Sequence, residues 1–212
     1  MIYLAGNNTR IFQLSRAGYP IGLMMSPKGF RRNRGLPFAL DNGLFHSPSD
    51  PPVGMKGLPP FYAMLDRVIG SPMFVTVPDV PYDAIGTREL SKRHLHHIRG
   101  YGFKAALAVQ DGMNPDDLDG FDWVFVGGST NWKLRTLAMW VRESHQRGMG
   151  AHVGRVNTWR RINQCIDSGA ESCDGTGIFR GDKAQLRKVL ESLIQKGLWG
   201  QSATGYVCES VH

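Results

Sequence analysis

Short polar motifs follow five of the apolar runs in this sequence. They are Asp41-Asn42-Gly43, Pro78-Asp79, Gln110-Asp111-Gly112, Gly127-Gly128-Ser129 and Asp174-Gly175. A turn explains any one of them, because Asp, Asn and Gly are common turn residues. Brought to one place, they would supply carboxylates, an amide and a glycine backbone that a ligand can approach closely.

Such a set suits the exchange of a base on a nucleoside. Displacement at the anomeric carbon of a sugar needs one ionised carboxylate as nucleophile and a second carboxyl group for proton transfer. A guanine-like base presents donors at N1–H and its exocyclic amine, and an acceptor at O6. One Asp can accept both donors, while a Gln side chain and a glycine N–H can reach O6. Phe45 could stack on the base, and a place in the core is its equal alternative.

Eight short apolar runs alternate with polar or helical segments. The predicted strands are Ile2–Ala5, Ile21–Met25, Phe38–Leu40, Met73–Val77, Lys104–Val109, Trp123–Val126, Gly150–Val153 and Ala170–Cys173. Helical spacing of apolar residues is found in Thr9–Ala17, Phe61–Ile69, Asp83–Ile98, Trp132–Gln146, Lys183–Gln195 and in a segment that starts at Trp159. Strands that alternate with helices pair in parallel, and eight of them predict an α/β fold, a compact (β/α)₈ TIM barrel. An open doubly wound sheet is the competing fold, but no G-x-G-x-x-G motif follows the first strand.

The stretch from Ala151 to Gly177 is predicted to be a strand, a helix and a strand, and Asp174 follows the second strand. Asn157 or Thr158 can cap the helix and Gly169 can end it. An acid at the carboxyl end of a barrel strand is where barrel enzymes place their chemistry, although Asp before Gly is also a common turn.

Two neighbours of this acid leave different alternatives open. His152, inside the seventh strand, either faces the pocket or is a core histidine. Cys173 is predicted to point away from the side on which Asp174 lies and to be buried, because side chains alternate along a strand.

The ordered motifs DNGLF, PDV, ALAVQDG, VFVGGS and HVGR…INQCIDSGAESCDGTG resemble the tRNA-guanine transglycosylase superfamily. They are most similar to its short, phage-type branch of DNA 7-deazaguanine transglycosylases, over roughly residues 38–177. The resemblance implies that Asp174 is the nucleophile that forms a covalent glycosyl intermediate, and that Asp41 is the general acid/base. It further implies that the base is bound by Asp79, Gln110 and the backbone of Gly127 and Gly128, with Phe45 as the stacking aromatic. His152 is added to this set as a candidate from its place in the seventh strand. The implied partners are DNA and a free 7-deazaguanine base of the preQ0 type, with no cofactor.

The differences between this sequence and the family indicate which nucleic acid is the partner. The tRNA-modifying relatives carry a zinc site of clustered cysteines and a histidine near the C-terminus, whereas only Cys208 and His212 lie there in this sequence. We therefore predict no metal and expect DNA rather than tRNA. Asn42 stands where the family usually has serine, which leaves part of the base contact open.

The formal net charge of +7 favours an anionic partner, and the basic residues cluster. The residues predicted to contact nucleic-acid phosphates are Lys28, Arg31, Arg32 and Arg34 in one loop, and Arg155, Arg160 and Arg161 beside the acid-bearing stretch. A solvated basic surface is the simpler alternative.

Composition predicts one domain over residues 1–198 and a tail over 199–212. The sequence has no signal-peptide pattern, no apolar run long enough for a membrane span and only three cysteines, so a cytoplasmic protein is expected. Three alternatives remain: a zinc-free tRNA-guanine exchange enzyme, an enzyme acting on free nucleosides, and a non-catalytic nucleic-acid-binding barrel.

Overall fold

A computed structural model describes residues 1–6, 8–44, 56–180 and 183–199. Eight parallel strands close into a barrel in which each strand pairs with its neighbours in chain order and β8 pairs with β1. The strands are β1 (Ile2–Ala5), β2 (Ile21–Met25), β3 (Phe38–Leu40), β4 (Val75–Thr76), β5 (Ala105–Val109), β6 (Trp123–Val126), β7 (Gly150–Val153) and β8 (Ser172–Asp174). The chain forms a single domain, and the predicted TIM barrel is confirmed.

Seven helices surround the strands in the described part of the chain. They are α1 (Thr9–Arg16), α2 (Leu58–Leu65), α3 (Ala84–Gly100), α4 (Thr130–Gln146), α5 (Trp159–Ser168), α6 (Gly177–Arg180) and α7 (Lys183–Trp199). Between β2 and β3 the chain makes only a 3₁₀ turn, Pro27–Gly29, and a loop. That flank of the barrel therefore lacks the covering helix found at most other crossovers. None of the described helices has the length and apolar character needed to cross a bilayer.

Alternation along the strands divides the core into two layers. The side chains that fill the barrel interior are mainly Leu4, Ala39, Phe74, Ala106 and Trp123, and the others pack outward against the helices. Two interior glycines make room for aromatic rings: a Cβ on Gly150 would overlap Trp123, and one on Gly154 would overlap Phe125. Large and small residues thus interdigitate to close the barrel below its mouth.

The capping prediction for α5 is confirmed. The Thr158 side chain accepts a hydrogen bond from the Arg161 N–H at the start of the helix, and Gly169 ends it with a φ of 86°. The left-handed conformation at Gly169 costs a glycine little and turns the chain into β8.

Several predicted boundaries need correction. The eighth strand is shifted toward the C-terminus, so Asp174 is its last residue and pairs with Leu4 of β1. Helix α2 begins three residues earlier than predicted, because Pro59 and Pro60 are tolerated in a first turn, where backbone N–H groups have no intrahelical partner. The short helix α6 was not predicted. Most of the predicted tail, residues 200–212, lies outside the described residues.

Candidate active site

A cavity of about 320 Å³ opens at the carboxyl ends of the strands. Its lining residues include Asp41, Asn42, Asp79, Gln110, Gly127, Gly128, Arg155, Asn157, Asp174 and Gly175, and its floor contains Met24, Thr76, Ala108 and Phe125. Each of the five polar motifs recognised in the sequence contributes at least one lining residue, while Asp111 and Ser129 bind each other beside the cavity. The strand-end residues thus converge as the barrel geometry predicts.

One side of the cavity is a continuous hydrogen-bond network around Asp79. The Asn42 Nδ2 donates to Asp79 Oδ1 at 2.8 Å, and the Gln110 Nε2 donates to Asp79 Oδ2 at 2.8 Å. Gln110 Oε1 in turn accepts the backbone N–H groups of Gly128 at 3.2 Å and Tyr82 at 3.1 Å. These contacts fix the orientation of the Gln110 amide, since its oxygen faces two donors and its nitrogen faces a carboxylate.

The same network corrects the expected role of the glycines. Gly127 and Gly128 do line the cavity. However, the Gly127 N–H donates to the Val109 carbonyl at 3.1 Å, and the Gly128 N–H donates to Gln110. Neither N–H is directed at a base, because each already has a partner within the protein. The second hydrogen of the Gln110 amide is the donor that remains for an oxygen of a ligand.

Two carboxyl groups of this site have raised pKa values. Burial, together with the charges of Asp79 and Asp174, raises the pKa of half-buried Asp41 to about 7. Burial raises the pKa of Asp79 to about 6, against the opposing effect of its hydrogen bonds from Asn42 and Gln110 and of the nearby Arg155 charge. Because Asp41 feels both other carboxylates, the three acids interact across one cavity.

Asp174 is held from below and from the side. Its Oδ1 lies 3.0 Å from His152 Nε2 and accepts the Arg155 N–H at 3.2 Å. Both contacts are to Oδ1, and no described residue makes a hydrogen bond to Oδ2. The side chain is 22% exposed, and it lines the cavity. Asp174 therefore presents an oriented carboxylate oxygen to a ligand.

His152 supports this acid rather than the base. Its side chain is fully buried, and its Nδ1 lies 2.9 Å from the Ser172 hydroxyl. Burial lowers the pKa of His152, against the opposing effect of the Asp174 carboxylate, so the neutral ring is favoured. A neutral ring that donates from Nε2 to Asp174 accepts at Nδ1 from Ser172. The prediction that His152 binds the base is corrected: it lies beneath Asp174 and does not line the cavity.

Behind this acid, Lys133 of α4 is 2% exposed. Its ammonium donates to the Gly154 carbonyl, and burial lowers its pKa to about 8. Nothing in the sequence distinguishes Lys133 from a surface lysine of a helix, so this residue was missed.

Arg155 and Tyr82 meet across the cavity mouth. The Arg155 guanidinium donates to the Tyr82 hydroxyl at 2.8 Å and to the Gly128 carbonyl, and lies over the Tyr82 ring. Both residues have positive φ, 58° for Arg155 and 66° for Tyr82, which is uncommon for side chains other than glycine. Such conformations concentrate at functional sites. No sequence motif pointed to Tyr82.

The predicted basic residues fall into separate places. Arg31, Arg32 and Arg34 line a second cavity of about 620 Å³ on the barrel flank without a helix, together with Arg67, and Lys28 is exposed in the adjoining 3₁₀ turn. Arg160 instead lies in a groove between α5 and α7, and Arg161 is in the first turn of α5. The seven residues therefore do not form one surface beside Asp174. Phe45 lies outside the described residues.

Cys173 is fully buried with its side chain in the outer layer, as the strand alternation predicts. Among the described residues, no three His, Cys, Asp or Glu side chains are arranged to hold a metal ion. Cys208 and His212 lie beyond them.

No family model matches this sequence, and no curated protein matches it. Several solved structures, in contrast, are similar to this chain. A candidate fructose-1,6-biphosphate aldolase from Coccidioides immitis is 13% identical, with a TM-score of 0.54, covering 92% of this chain and 84% of the other. The Amycolatopsis orientalis BexX/CysO complex contains a chain 14% identical, with a TM-score of 0.55 and coverages of 98% and 94%. The native KDPGal structure is 9% identical, with a TM-score of 0.52, and 93% of each chain is covered. At these identities the likeness establishes the barrel fold alone.

Proposed function

We propose that this protein is a transglycosylase that exchanges guanine in DNA for a 7-deazaguanine base through a glycosyl intermediate on Asp174. The observation that carries the proposal is the convergence of three carboxyl groups in one cavity, of which Asp41 and Asp79 have raised pKa values and Asp174 is oriented by two contacts. Nucleophilic substitution at an anomeric carbon uses one carboxylate as the nucleophile and a second, protonated carboxyl group as the acid. In this proposal Asp174 is the nucleophile and Asp41 is the acid.

The first half of the reaction removes guanine. Asp174 Oδ2 attacks C1′ of the sugar, and the electron pair of the bond between C1′ and N9 leaves with the base. Asp41 donates its proton to a ring nitrogen of the departing base, which a pKa of about 7 allows near neutral pH. The products of this half are free guanine, a glycosyl ester on Asp174 and an ionised Asp41.

The second half reverses these roles. Asp41 accepts the N9 proton of the incoming base, N9 attacks C1′, and the ester bond to Asp174 breaks. The enzyme returns to its starting protonation state. His152 and the Arg155 N–H hold Asp174 in one orientation through both halves, because they bind the oxygen that does not react.

The Asp79 network supplies recognition of the base. Each Asp79 oxygen accepts one amide donor from the protein and retains a lone pair, so the pair can accept N1–H and the exocyclic amine of guanine. The second hydrogen of Gln110 Nε2 donates to O6. Because Gln110 is fixed by two backbone N–H groups, this donor needs no reorganisation on binding.

The flank cavity supports a nucleic-acid partner. Its four arginines form no ion pair with any described residue, and Arg67 lies over the Phe30 ring. Pro27, at the start of the adjoining turn, packs close to Gly43 beside the catalytic mouth. A strand whose guanine enters the mouth can thus lay its phosphates along this flank, after the base has left the stack at a cost of a few kcal/mol.

Two features favour exchange over an imine-forming aldolase and over a non-catalytic barrel. An aldolase that forms an imine requires a lysine in the cavity, and the described lining residues contain none. A non-catalytic barrel has no need for an oriented carboxylate over a buried His152–Ser172 pair.

The test is release of radiolabelled guanine from DNA and, separately, from tRNA in the presence of preQ0. We expect release from DNA that Asp174→Asn abolishes. The control is Asp119→Asn, since Asp119 is 76% exposed and pairs with Arg147 away from the cavity. Release from tRNA alone would keep the mechanism and replace the partner. Binding of DNA without release from either substrate would favour the non-catalytic barrel and overturn the proposal.

A further inference from the structure

Lys133 of α4 is a buried charge that the exchange mechanism does not use. Its side chain is 2% exposed and does not line the catalytic cavity. Its ammonium donates to the Gly154 carbonyl, which is its one hydrogen bond among the described residues. Removing an ammonium from water costs free energy, and an apolar side chain would fill the same space without that cost. The presence of a charge here therefore points to a role at Gly154.

The carbonyl that binds Lys133 belongs to a peptide group whose other end contacts the nucleophile. That group joins Gly154 to Arg155. A trans peptide group is planar, and its C=O and N–H point in opposite directions. The oxygen accepts from the Lys133 ammonium, and the Arg155 N–H donates to Asp174 Oδ1 at 3.2 Å. Hydrogen bonds linked through one polar group strengthen each other, so the ammonium acts on the carboxylate through a single peptide group.

This peptide group needs a restraint, because its orientation gives Arg155 a φ of 58°. Positive φ is unfavourable for a residue with a side chain. Turning the peptide group over would return Arg155 to negative φ, but it would direct the N–H away from Asp174. It would also direct the carbonyl away from Lys133. The contact with Lys133 thus opposes a rotation that would relieve the strain at Arg155.

We propose that Lys133 is a positioning residue, which holds this peptide group so that one oxygen of Asp174 stays bound and the other faces the cavity. The inference rests on the proposed function, in which Asp174 is the nucleophile. It extends that function to a residue that touches neither the base nor the sugar. Asp79 and Gln110, which bind the base, form their own network across the cavity. Loss of the ammonium should therefore slow the chemical step and leave binding of the base unchanged.

The variant Lys133→Met tests this inference, because it removes the charge and keeps an unbranched side chain of similar length. The first measurement is amide NMR of protein labelled with ¹⁵N-arginine, in which the Arg155 resonance is identified by its loss from Arg155→Lys. The Arg155 amide proton should move upfield in Lys133→Met, since its hydrogen bond to Asp174 is weakened. Guanine release from DNA should show a kcat about 10- to 100-fold lower and a KM for preQ0 within about twofold of the wild-type value.

Val141→Ala is the matched control. Val141 is fully buried on the same helix, two turns after Lys133, and its side chain has no hydrogen bond to lose. The control should lower Tm by about 3–8 °C and leave the Arg155 resonance and kcat at their wild-type values. If it changes both as much as Lys133→Met does, the effect is a general loss of packing and the inference is wrong.

The wild type provides a check that needs no variant. Ammonium protons of solvated lysines exchange too quickly to give a resolved resonance, whereas Lys133 is shielded from water. At about pH 6, below its pKa of about 8, Lys133 should give a resolved ¹⁵N ammonium resonance that is absent from Lys133→Met. A wild type without this signal would overturn the inference.

The outcomes separate this inference from the function on which it rests. If the wild type releases guanine and Lys133→Met does so equally fast with an unmoved Arg155 resonance, the role of Lys133 is wrong and the exchange mechanism is unaffected. Slower release with an unmoved resonance would also overturn the inference, because the effect would not pass through the peptide group. If the wild type releases no guanine from DNA or tRNA, the proposed function fails, and the Arg155 resonance alone decides whether Lys133 holds the peptide group.

Discussion

The two sides of the catalytic cavity are built differently. At the ends of β3 to β6, Asn42, Asp79 and Gln110 form a closed network that is anchored on backbone N–H groups. At the ends of β7 and β8, Asp174 has one oxygen held by His152 and by the Arg155 N–H and another directed to the cavity. The first side fixes donors and acceptors in a pattern, and the second exposes a nucleophile.

The electrostatics of the two sides differ as well. Burial favours protons on Asp41 and Asp79, whereas Asp174 lies near the buried Lys133 and accepts the Arg155 backbone N–H. Separate environments for neighbouring carboxyl groups assign them separate roles. We therefore expect substitutions of Asp79 to affect base binding, and substitutions of Asp41 and Asp174 to affect the chemical step, with Asp41 setting its pH dependence.

Among variants that leave the nucleophile Asp174 in place, the largest effect is expected from Asp41→Asn. Loss of the proton donor should reduce kcat for guanine release by about 10²–10⁴-fold. In the wild type, release should fall as pH rises above about 7, because the protonated form of Asp41 is the one that acts. Single-turnover rates between pH 5 and 9 check both points. A wild-type rate that stays constant from pH 6 to 9 would contradict the assignment.

A smaller loss is expected from Asp79→Asn. An asparagine there has one acceptor oxygen where two amide donors and a base must be satisfied, so KM for the base should rise about 100-fold. The matched variant Asp111→Asn changes an acid that binds Ser129 beside the cavity without lining it. Equal KM values for the two variants would remove Asp79 from base recognition.

The substitution Asp41→Asn should lower activity but raise the free energy of unfolding at alkaline pH. Its folded pKa of about 7 exceeds its ordinary value of 3.8, so its contribution to stability is present below pH 3.8 and is lost as pH rises through 7. Asp41→Asn should therefore be more stable than the wild type at pH 8, by on the order of 2 kcal/mol, and nearly equal to it at pH 4. Urea unfolding at both pH values measures this. A variant less stable at pH 8 would contradict the raised pKa of Asp41 described above.

The smallest effect is expected from His152→Gln, since glutamine can still donate to Asp174 but is not held in place by Ser172. A roughly tenfold lower kcat with an unchanged KM is expected of a residue that positions the nucleophile. Calorimetric binding of the free base should be unaffected. A raised KM with unchanged kcat would place His152 at the base after all.

The sequence was sufficient for the barrel because each strand is a short apolar run between turn or helix signals. It was also sufficient to bring Asp41, Asp79, Gln110 and Asp174 together, since the carboxyl ends of parallel strands share one mouth. It could not show which strand-end donors were already occupied within the protein. That Gln110 accepts the Gly128 N–H depends on how β5 and β6 are juxtaposed, which no local pattern encodes.

Contacts between distant segments account for the other errors. The sequence left His152 either facing the pocket or in the core, because its position beneath Asp174 depends on how β7 and β8 pair. The contact between Tyr82 and Arg155 exists only in the closed barrel, because the two residues are far apart in the sequence. The burial of Lys133 depends on how α4 packs, which its local sequence does not show. Arg67 joins the basic loop because that flank lacks a covering helix.

The most direct test of the central claim is mass spectrometry of the protein after reaction with guanine-containing DNA in the absence of an incoming base. Acid quenching should trap the glycosyl ester, and peptide mapping should place it on Asp174. The adduct should be absent from Asp174→Asn and present in Asp119→Asn. An adduct on another residue, or guanine release from the wild type with no adduct at any time, would contradict Asp174 as the nucleophile.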